Sequence, residues 1–278
     1  MQGKVCVVTG SNSGLGKEAA LEIAKKGAKI VMVCRSEEKG LAAKLEIIEK
    51  SGNQNVDLII GDFSSQMDIR RIADLIKSNY PVIDVLVNNA GAINDKRSVT
   101  VDGLESTFAT NHLGYFLFTN LLLDNLKAAP KARIVSVASE AERFCKLDFN
   151  DLQSENDYTS WKAYSLSKLA NILFTFELAK RLKGTNITVN CMHPGVVNTG
   201  FGKDITGIWR LFSPIMGIFF RNPEKGAETI VWLATSQDVE AVNGQYFKDK
   251  KPIKAQAVAY SEEAQSRLWN ISSELVKL

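Results

Sequence analysis

Metal-binding and disulfide-forming residues are scarce in this sequence of 278 residues, which has two histidines and four cysteines. The cysteines, Cys6, Cys34, Cys145 and Cys191, are far apart and form no C-x-x-C pair. This spacing argues against a zinc or disulfide framework and is typical of buried thiols in a reducing compartment. Two histidines are also too few for a multi-histidine metal site. We therefore expect no metal cofactor.

An excess of charge of either sign is also missing. The 34 Lys and Arg residues against 31 Asp and Glu give a net charge of +3. So small a balance offers no basic surface for nucleic acid, and we expect no nucleic-acid partner. Hydrophobic residues form 45% of the chain and charged residues 23%, which excludes a disordered or collagen-like protein.

Long hydrophobic runs are absent as well. The most apolar stretch, residues 205–220, is too short to span a membrane and is interrupted by Gly207, Pro214 and Gly217. No basic segment followed by an apolar one precedes the first predicted strand, so no signal peptide is visible. We therefore expect an intracellular protein, either cytoplasmic or peripherally associated with a membrane.

Short runs of β-branched residues alternate with longer stretches that carry apolar residues at helical spacing. This alternation predicts βαβ units, and hence an α/β fold with a parallel sheet and helices on both faces. No Pro-, Gly- or Ser-rich linker divides the chain, so we predict a single domain over residues 1–278. Strands are predicted at residues 5–8, 29–33, 56–61, 82–87, 132–137, 187–192 and 244–247, and two long helices at residues 102–128 and 160–183.

A glycine-rich turn follows the first predicted strand and opens the first helix. Gly10 allows a tight turn, Gly14 lets the backbone approach a pyrophosphate, and Gly16 lets the helix pack against the strand. The helix N-terminus then directs free N–H groups and a positive dipole at the anion. The turn predicts a dinucleotide-phosphate site made of Gly10, Ser11, Asn12, Ser13, Gly14, Leu15 and Gly16.

An arginine follows the second predicted strand. Dinucleotide sites usually carry an acid about 20 residues after the glycine turn, bonded to the ribose 2′-hydroxyl. Arg35 stands there instead. A guanidinium can pair bidentately with a 2′-phosphate that a carboxylate would repel, so Arg35 favours NADP(H) over NAD(H). The alternative is a solvated arginine at a strand end.

A tyrosine and a lysine are spaced for proton transfer. Tyr164 and Lys168 are four residues apart in a predicted helix, so they share one face of it. A nearby ammonium favours the ionised phenol, so we expect it to lower the pKa of Tyr164 from about 10 and make this side chain a general acid/base. Ser139, residues 88–91 and residues 194–195 follow the fifth, fourth and sixth strands. These segments should meet at the carboxyl edge of the sheet, where ligands bind.

Taken in their order and spacing, these motifs resemble the short-chain dehydrogenase/reductase family over nearly the whole chain. The resemblance implies a Rossmann-type doubly wound sheet of about seven strands in the order 3-2-1-4-5-6-7. Further likeness, to the retinol-dehydrogenase-like branch, lies in residues 111–116, 164–179, 243–247 and 267–269. The motifs that match the family are T-G-x-x-x-G-x-G at 9–16, Asp62, N-N-A-G at 88–91, Asn111, Ser139, Tyr164 with Lys168, and P-G-x-x-x-T at 194–199.

The resemblance implies a role for each matching residue. Tyr164 would protonate the carbonyl oxygen during reduction, and Lys168 would lower its pKa and hold the nicotinamide ribose. Ser139 would bind the substrate oxygen, and Asn111 would anchor a water in the proton relay. The remaining cofactor contacts would be Asp62 and Phe63 at the adenine, Asn89, Ala90 and Gly91 at the adenosine ribose, and Pro194, Gly195, Val197 and Thr199 at the nicotinamide end.

Family members bind substrate with the segment after the sixth strand. Here residues 200–222 are rich in apolar and aromatic side chains and suit a lid over a lipophilic carbonyl or alcohol substrate, such as a retinoid, a steroid or another lipid or xenobiotic carbonyl. Within it, Trp209, Phe212 and Met216 are the predicted substrate contacts. The alternatives are that these side chains pack as core, or that they touch a membrane surface. The family also often pairs through its two long helices, so a homodimer is possible.

Three functions remain open. The leading one is an NADP(H)-dependent oxidoreductase that interconverts an alcohol and a ketone or aldehyde. A sugar-nucleotide epimerase or dehydratase usually carries a larger C-terminal substrate domain, whereas only about 80 residues follow Gly195. A non-catalytic dinucleotide sensor would typically lack Tyr164 or Lys168, and both are present.

Overall fold

The computed structural model describes residues 1–195 and 222–278 and contains one eight-stranded sheet. The strand order is β3-β2-β1-β4-β5-β6-β7-β8. The first seven strands pair in parallel, and β8 pairs antiparallel with β7. The predicted order is confirmed, with β8 added at the edge. The strands are β1 (Val5–Thr9), β2 (Lys29–Cys34), β3 (Val56–Ile60), β4 (Val85–Asn88), β5 (Ala132–Val137), β6 (Ile187–His193), β7 (Tyr246–Lys248) and β8 (Lys251–Pro252).

Helices cover both faces of the sheet. Of the described helices, α1, α2 and α8 pack on one face, and α3, α5, α7 and α9 on the other. The described α-helices are α1 (Gly14–Lys25), α2 (Glu37–Ser51), α3 (Gln66–Asn79), α4 (Ser106–Phe108), α5 (Gly114–Leu121), α6 (Leu123–Lys127), α7 (Ser160–Arg181), α8 (Pro223–Thr235) and α9 (Glu262–Val276). A π-helical turn (Ala109–Leu113) joins α4 to α5, and 3-10 turns lie at Glu140–Phe144, Gln237–Val239 and Ala257–Tyr260.

The central strands are mostly apolar because both of their faces are buried. Val7 belongs to the core beneath α3, α5 and α7, whereas its neighbours Cys6 and Val8 belong to the core beneath α1 and α8. Successive side chains of a strand point to opposite faces, so most positions of a strand covered on both sides favour apolar residues. This explains the nearly continuous apolar runs that predict the strands. All four cysteines are free thiols.

The prediction of a single long helix over residues 102–128 is wrong. The helical segment begins at Ser106 with α4 and changes to the π-helical turn at Ala109. It is interrupted at Leu122, between α5 and α6. The start is fixed by Glu105, whose carboxylate accepts hydrogen bonds from the main-chain N–H groups of Thr107 (2.8 Å) and Phe108 (2.6 Å). Wide turns of this kind are frequent at functional sites, and this one contains Asn111.

The second long helix is close to its prediction of residues 160–183. Thr159 caps α7 by accepting a hydrogen bond from the N–H of Lys162 at 3.1 Å. The helix ends at Arg181, and Gly184 follows with a φ of +86°, a conformation that glycine adopts without strain. This cap at one end and the buried apolar side chains along its length fix the register that presents Tyr164 and Lys168 to the sheet edge.

Candidate active site

The glycine turn is packed tightly against the segment after β4. Gly10 has a φ of +65°, and a Cβ there would lie 2.8 Å from the Cα of Ala90. A Cβ on Gly16 would lie 2.3 Å from the side-chain nitrogen of Asn89 and 2.4 Å from the carbonyl oxygen of Gly10. Gly16 therefore allows the close approach of helix α1 to the turn and to Asn89. Gly14 has a φ of +53°, which favours glycine.

Thr9 and Asn89 tie this turn to the β4 end. The Thr9 hydroxyl accepts hydrogen bonds from the main-chain N–H groups of Asn89 (2.8 Å) and Ala90 (3.0 Å). The Asn89 side chain returns two hydrogen bonds, to the carbonyl oxygens of Thr9 (2.8 Å) and Gly10 (3.2 Å). These bonds position the turn residue by residue. Thr9 is absent from the predicted site residues, although its place in the glycine motif was a usable signal.

The N-terminus of α1 is open to an anion. Ser13 precedes the helix, but its side chain accepts no hydrogen bond from the N–H groups of the first turn within the described residues. That turn contains no acidic side chain. Its free N–H groups and the positive end of the helix dipole are therefore available to a phosphate.

The turn shares one cavity of about 240 Å³, at the carboxyl edge of the sheet, with three of the four predicted catalytic residues, Ser139, Tyr164 and Lys168, whereas Asn111 does not line it. Val137 is the one lining residue that sequence reasoning missed. The predicted residue Ser11 does not line the cavity, since it is buried and donates a hydrogen bond to the Val8 carbonyl at 3.0 Å. A larger cleft of about 660 Å³, next to α1 and α8, contains none of the predicted site residues. The cavity is lined by Gly10, Asn12, Ser13, Gly14, Leu15, Gly16, Asn89, Ala90, Gly91, Val137, Ser139, Tyr164, Lys168, Pro194 and Gly195.

Tyr164 and Lys168 stand side by side in the wall of this cavity. The Lys168 ammonium lies 5.5 Å from the centre of the Tyr164 ring and donates a hydrogen bond to the Val137 carbonyl at 3.0 Å. Lys168 is only 3% exposed, whereas Tyr164 is partly exposed at the cavity. Ser139 lies at the start of the 3-10 turn after β5, and its hydroxyl accepts a hydrogen bond from the N–H of Ala141 at 3.2 Å.

The electrostatics of this pair differ from the prediction. Desolvation by the surrounding protein raises the pKa of Tyr164 to about 12, against a smaller lowering by a hydrogen bond with the Ser139 side chain. Burial also lowers the pKa of Lys168 to about 7. Desolvation disfavours the charged form of both groups, so the pKa of Tyr164 moves upwards, opposite to the direction predicted from its neighbour Lys168.

Asn111 connects the cofactor side of the cavity with the catalytic helix. Its side chain accepts a hydrogen bond from the N–H of Ala92 (2.7 Å) and donates one to the Ala92 carbonyl (2.9 Å). The same amide donates to the hydroxyl of Ser167 (3.0 Å), which in turn donates to the main-chain oxygen of Tyr164 (2.7 Å). The π-helical turn therefore links the segment that follows β4 to helix α7.

Three predicted cofactor residues lie at the same edge of the sheet but do not line the cavity. Arg35 is exposed directly after β2 and forms no ion pair within the described residues. Asp62 follows β3, and its carboxylate accepts a hydrogen bond from the N–H of Ser64 at 2.9 Å. The Phe63 side chain packs in the core against Phe118, with ring centres 5.1 Å apart.

The nicotinamide and substrate ends of the site fall largely outside the described residues. Val197, Thr199, Trp209, Phe212 and Met216 lie there, as does the predicted lid at 200–222 except for Asn222, whose side chain caps α8. Within residues 1–195 and 222–278, no group of three or more His, Cys, Asp or Glu side chains could hold a metal ion. No helix in those same ranges is long and apolar enough to cross a membrane.

Comparison with known proteins places this site in a family. The family model described as short chain dehydrogenase matches residues 4–207. Mouse retinol dehydrogenase 12 is 42% identical over 277 residues, which cover 99% of this chain and 86% of that protein. Human retinol dehydrogenase 14 is 40% identical over 294 residues, which cover 100% of this chain and 88% of that protein.

Solved structures agree with this match. An uncharacterised protein of Mycobacterium paratuberculosis superposes with a TM-score of 0.81 at 31% identity, covering 99% of this chain and 94% of that one. A short chain dehydrogenase of Escherichia coli CFT073, solved with NADPH, shares the fold, with a TM-score of 0.68 at 24% identity over 90% of this chain and 98% of that one.

An open helix N-terminus beside a Tyr–Lys pair, on a sheet of this order and with these matches, has one explanation: the chain belongs to the short-chain dehydrogenase family. It thereby belongs among oxidoreductases that act on alcohols and carbonyls. The two curated relatives are both retinol dehydrogenases, which confirms the prediction of the retinol-dehydrogenase-like branch.

Proposed function

We propose that the protein is an NADP(H)-dependent oxidoreductase that interconverts an alcohol and the corresponding aldehyde or ketone of a lipophilic substrate. The observation that carries the proposal is the position of Tyr164 and Lys168, side by side in the wall of the cavity that the glycine turn opens into. Retinol dehydrogenases among the relatives support a substrate of the retinoid, steroid or lipid-carbonyl class.

The residues around the glycine turn fit a dinucleotide. The space that a Cβ would fill at Gly10 and Gly16 is already closed by Ala90 and Asn89, which leaves bare backbone on the cavity side. The open N-terminus of α1 supplies donors for the pyrophosphate. The bound nicotinamide supplies the hydride, and the protein supplies position and electrostatics. We propose that residues 1–278 form one cofactor-binding domain, with residues 200–222 as the substrate lid and with Val197 and Thr199 at the nicotinamide.

Tyr164 is poised as a proton donor. With its pKa raised to about 12 by desolvation, its phenol keeps its proton at neutral pH, as reduction of a carbonyl requires. Lys168 would stabilise the phenolate left behind, because its ammonium lies 5.5 Å from the ring centre. The Ser139 hydroxyl, which accepts a hydrogen bond from the N–H of Ala141 and is hydrogen-bonded to Tyr164, would bind the substrate oxygen beside the proton donor.

Arg35 supports NADP(H) as the cofactor. It is exposed directly after β2, and its guanidinium has no partner within the described residues. The nearby Lys17, by contrast, is already paired with the carboxylate of Glu46 at 2.7 Å. Arg35 is therefore a cation at this edge that a 2′-phosphate can recruit without breaking an ion pair.

The test is consumption of NADPH with a panel of lipophilic aldehydes and ketones, comparing the wild type with Tyr164→Phe. We expect turnover by the wild type, and a Tyr164→Phe variant that still binds NADPH but reduces no substrate. Turnover that survives Tyr164→Phe would show that another group donates the proton. Tight NADPH binding by a wild type that reduces none of the panel would favour a non-catalytic dinucleotide sensor.

A further inference from the structure

Behind the catalytic pair, a chain of buried polar side chains reaches the C-terminal helix. It consists of Asn171 on α7, His112 in the π-helical turn and Ser272 on α9, and none of the three is exposed. The Nε2 atom of His112 lies 2.9 Å from the hydroxyl of Ser272, and its Nδ1 atom lies 3.4 Å from the Oδ1 atom of Asn171. None of these side chains lines the cavity.

The direction of each hydrogen bond in this chain is fixed by its inner end. The side-chain nitrogen of Asn171 lies 3.0 Å from the carbonyl oxygen of Asn111 and 3.4 Å from that of Val137. Carbonyl oxygens only accept, so the amide N–H groups point to them and the amide oxygen faces His112. The Nδ1 atom of His112 must therefore carry a proton in order to donate to Asn171.

The outer end follows from the neutrality of the ring. Burial lowers the pKa of His112 to about 4, so one ring nitrogen carries no proton at neutral pH. That nitrogen is Nε2, which accepts a hydrogen bond from the Ser272 hydroxyl. The ring lies among Phe108, Phe116 and Phe174, with ring centres 5.0 to 6.4 Å away, and forms no ion pair within the described residues. It is thus a fixed link and not a titrating switch.

Asn171, at the inner end of this hydrogen-bonded chain, shares a hydrogen-bond acceptor with Lys168. The Val137 carbonyl accepts hydrogen bonds from both Lys168 (3.0 Å) and Asn171 (3.4 Å). The Lys168 ammonium faces the rings of Tyr164 and Tyr115, at 5.5 and 6.0 Å, and within the described residues it has no carboxylate partner. A main-chain oxygen shared with Asn171 is therefore what anchors the ammonium.

We propose that Asn171 is a positioning residue for Lys168, and that Ser272 and His112 hold Asn171 in the orientation this requires. Helix α9 thereby contributes to the geometry of the acid–base pair without touching the cavity. The inference rests on the proposed function only in taking Tyr164 and Lys168 as that pair. The hydrogen-bonded chain itself can be tested on the cofactor-free protein.

The first experiment measures the histidine tautomers by nitrogen-15 NMR on the full cofactor-free chain. The sequence has two histidines, and the structure gives them opposite tautomers. The Nδ1 atom of His193 accepts a hydrogen bond from the N–H of Glu140 at 3.2 Å, which leaves its proton on Nε2. We expect one histidine of each kind, assigned with His193→Gln, and a Ser272→Ala variant that shifts the Nε2 resonance of His112. Protonation of His112 on Nε2, or titration near its ordinary pKa of about 6.5, overturns the proposal.

The second experiment compares Asn171→Ala with Thr175→Val. Thr175 lies one turn further along α7, is buried, and donates to the main-chain oxygen of Asn171 at 2.8 Å, so it controls for loss of a buried polar group. We expect Asn171→Ala to lower kcat by about 10- to 100-fold, as small misplacements of catalytic groups do, with NADPH affinity changed less than about twofold. The pH midpoint of carbonyl reduction, which loss of the Lys168 ammonium sets near 7, should move upwards, because an ammonium displaced from its buried position is less desolvated. Thr175→Val should leave kcat, NADPH affinity and the pH midpoint unchanged.

A milder pair of variants guards against misfolding of Asn171→Ala. Ser272→Ala removes only the outer hydroxyl and should change kcat and the pH midpoint in the same direction, to a smaller extent. Ser273→Ala, whose hydroxyl donates to the Leu278 carbonyl instead, should match the wild type. Equal losses in target and control variants, or a loss in cofactor affinity with an unchanged pH profile, overturn the positioning role. If the wild type itself reduces no substrate, the proposed function fails. The tautomer measurement still decides whether the hydrogen bonds from Asn171 through His112 to Ser272 are formed.

Discussion

The side-chain amide of Asn89 fills the space beside Gly16 that a Cβ would need, at 2.3 Å from the ideal Cβ position. The carbonyl oxygen of Gly10 closes the other side at 2.4 Å. The glycine turn and the segment after β4 therefore meet with no room between them. The phosphate-binding backbone is positioned by this contact as much as by its own conformation.

We expect Gly16→Ala to lose cofactor binding and stability together. The added methyl group must displace backbone, which typically costs about 1 to 3 kcal/mol of the free energy of unfolding. Chemical denaturation and NADPH titration would measure the two effects. Asn89→Ala in the same background should not restore either, because the Gly10 carbonyl remains in place. Full restoration would show that only the Asn89 side chain excludes the methyl group.

Reversing the charge at the end of β2 should change the cofactor preference. In Arg35→Asp, a carboxylate replaces the guanidinium, repels a 2′-phosphate and can bind the ribose hydroxyl, so we expect the preference for NADPH over NADH to fall by about 100-fold, the scale of one or two lost charge-assisted bonds. The ratio of kcat/KM values for the two cofactors measures it. Lys39→Ala, which removes an exposed cation of α2 nearby, is the control and should keep the ratio. An unchanged ratio in Arg35→Asp would mean that other groups recognise the phosphate.

The two directions of the reaction should respond oppositely to pH. Burial lowers the pKa of Lys168 to about 7, so carbonyl reduction should slow as the pH rises through that value and the ammonium is lost. Alcohol oxidation needs Tyr164 without its proton, and desolvation raises the pKa of Tyr164 to about 12, so oxidation should keep accelerating into the alkaline range. Rate profiles in both directions measure these trends. Lys168→Arg keeps its charge throughout, so any reduction it retains should show no fall near neutral pH.

Removal of the carboxylate at the start of the broken helix should destabilise the fold. Glu105 is fully buried and accepts hydrogen bonds from the N–H groups of Thr107 and Phe108. In Glu105→Ala both donors lose their partner, at a cost of about 1 to 3 kcal/mol for each unsatisfied buried group. The midpoint of urea unfolding measures the loss. Glu49→Ala, at an exposed position of α2, should leave that midpoint within experimental error.

Most of the sheet was predictable because parallel strands buried on both faces are mostly apolar, and Tyr164 and Lys168 were predictable because their spacing reflects one helical turn. The break at residues 109–113 was not, since the side chains around it are buried on every side and give no periodicity. The wide turn depends on the bonds of Asn111 to Ala92 and Ser167, which only the folded chain brings together. The two residues of β8 are too few for any pattern.

The chemistry of the site was less predictable than the identity of the residues that form it. A sequence places Lys168 beside Tyr164 but does not say how much water surrounds either, and desolvation reverses the expected direction of the Tyr164 pKa. The position of Phe63 in the core and the role of Asn171 are likewise set by packing between distant segments. Val137 contributes through its carbonyl oxygen, which no side-chain pattern can reveal.

The short strand β8 limits how this protein can associate with others. Lys251 and Pro252 are both exposed, and they form the last rung of the sheet beside β7. Pro252 has no N–H to offer a further strand, and an exposed lysine at an edge disfavours the approach of an apolar segment. Both features therefore disfavour the addition of a further strand at the β8 edge of the sheet.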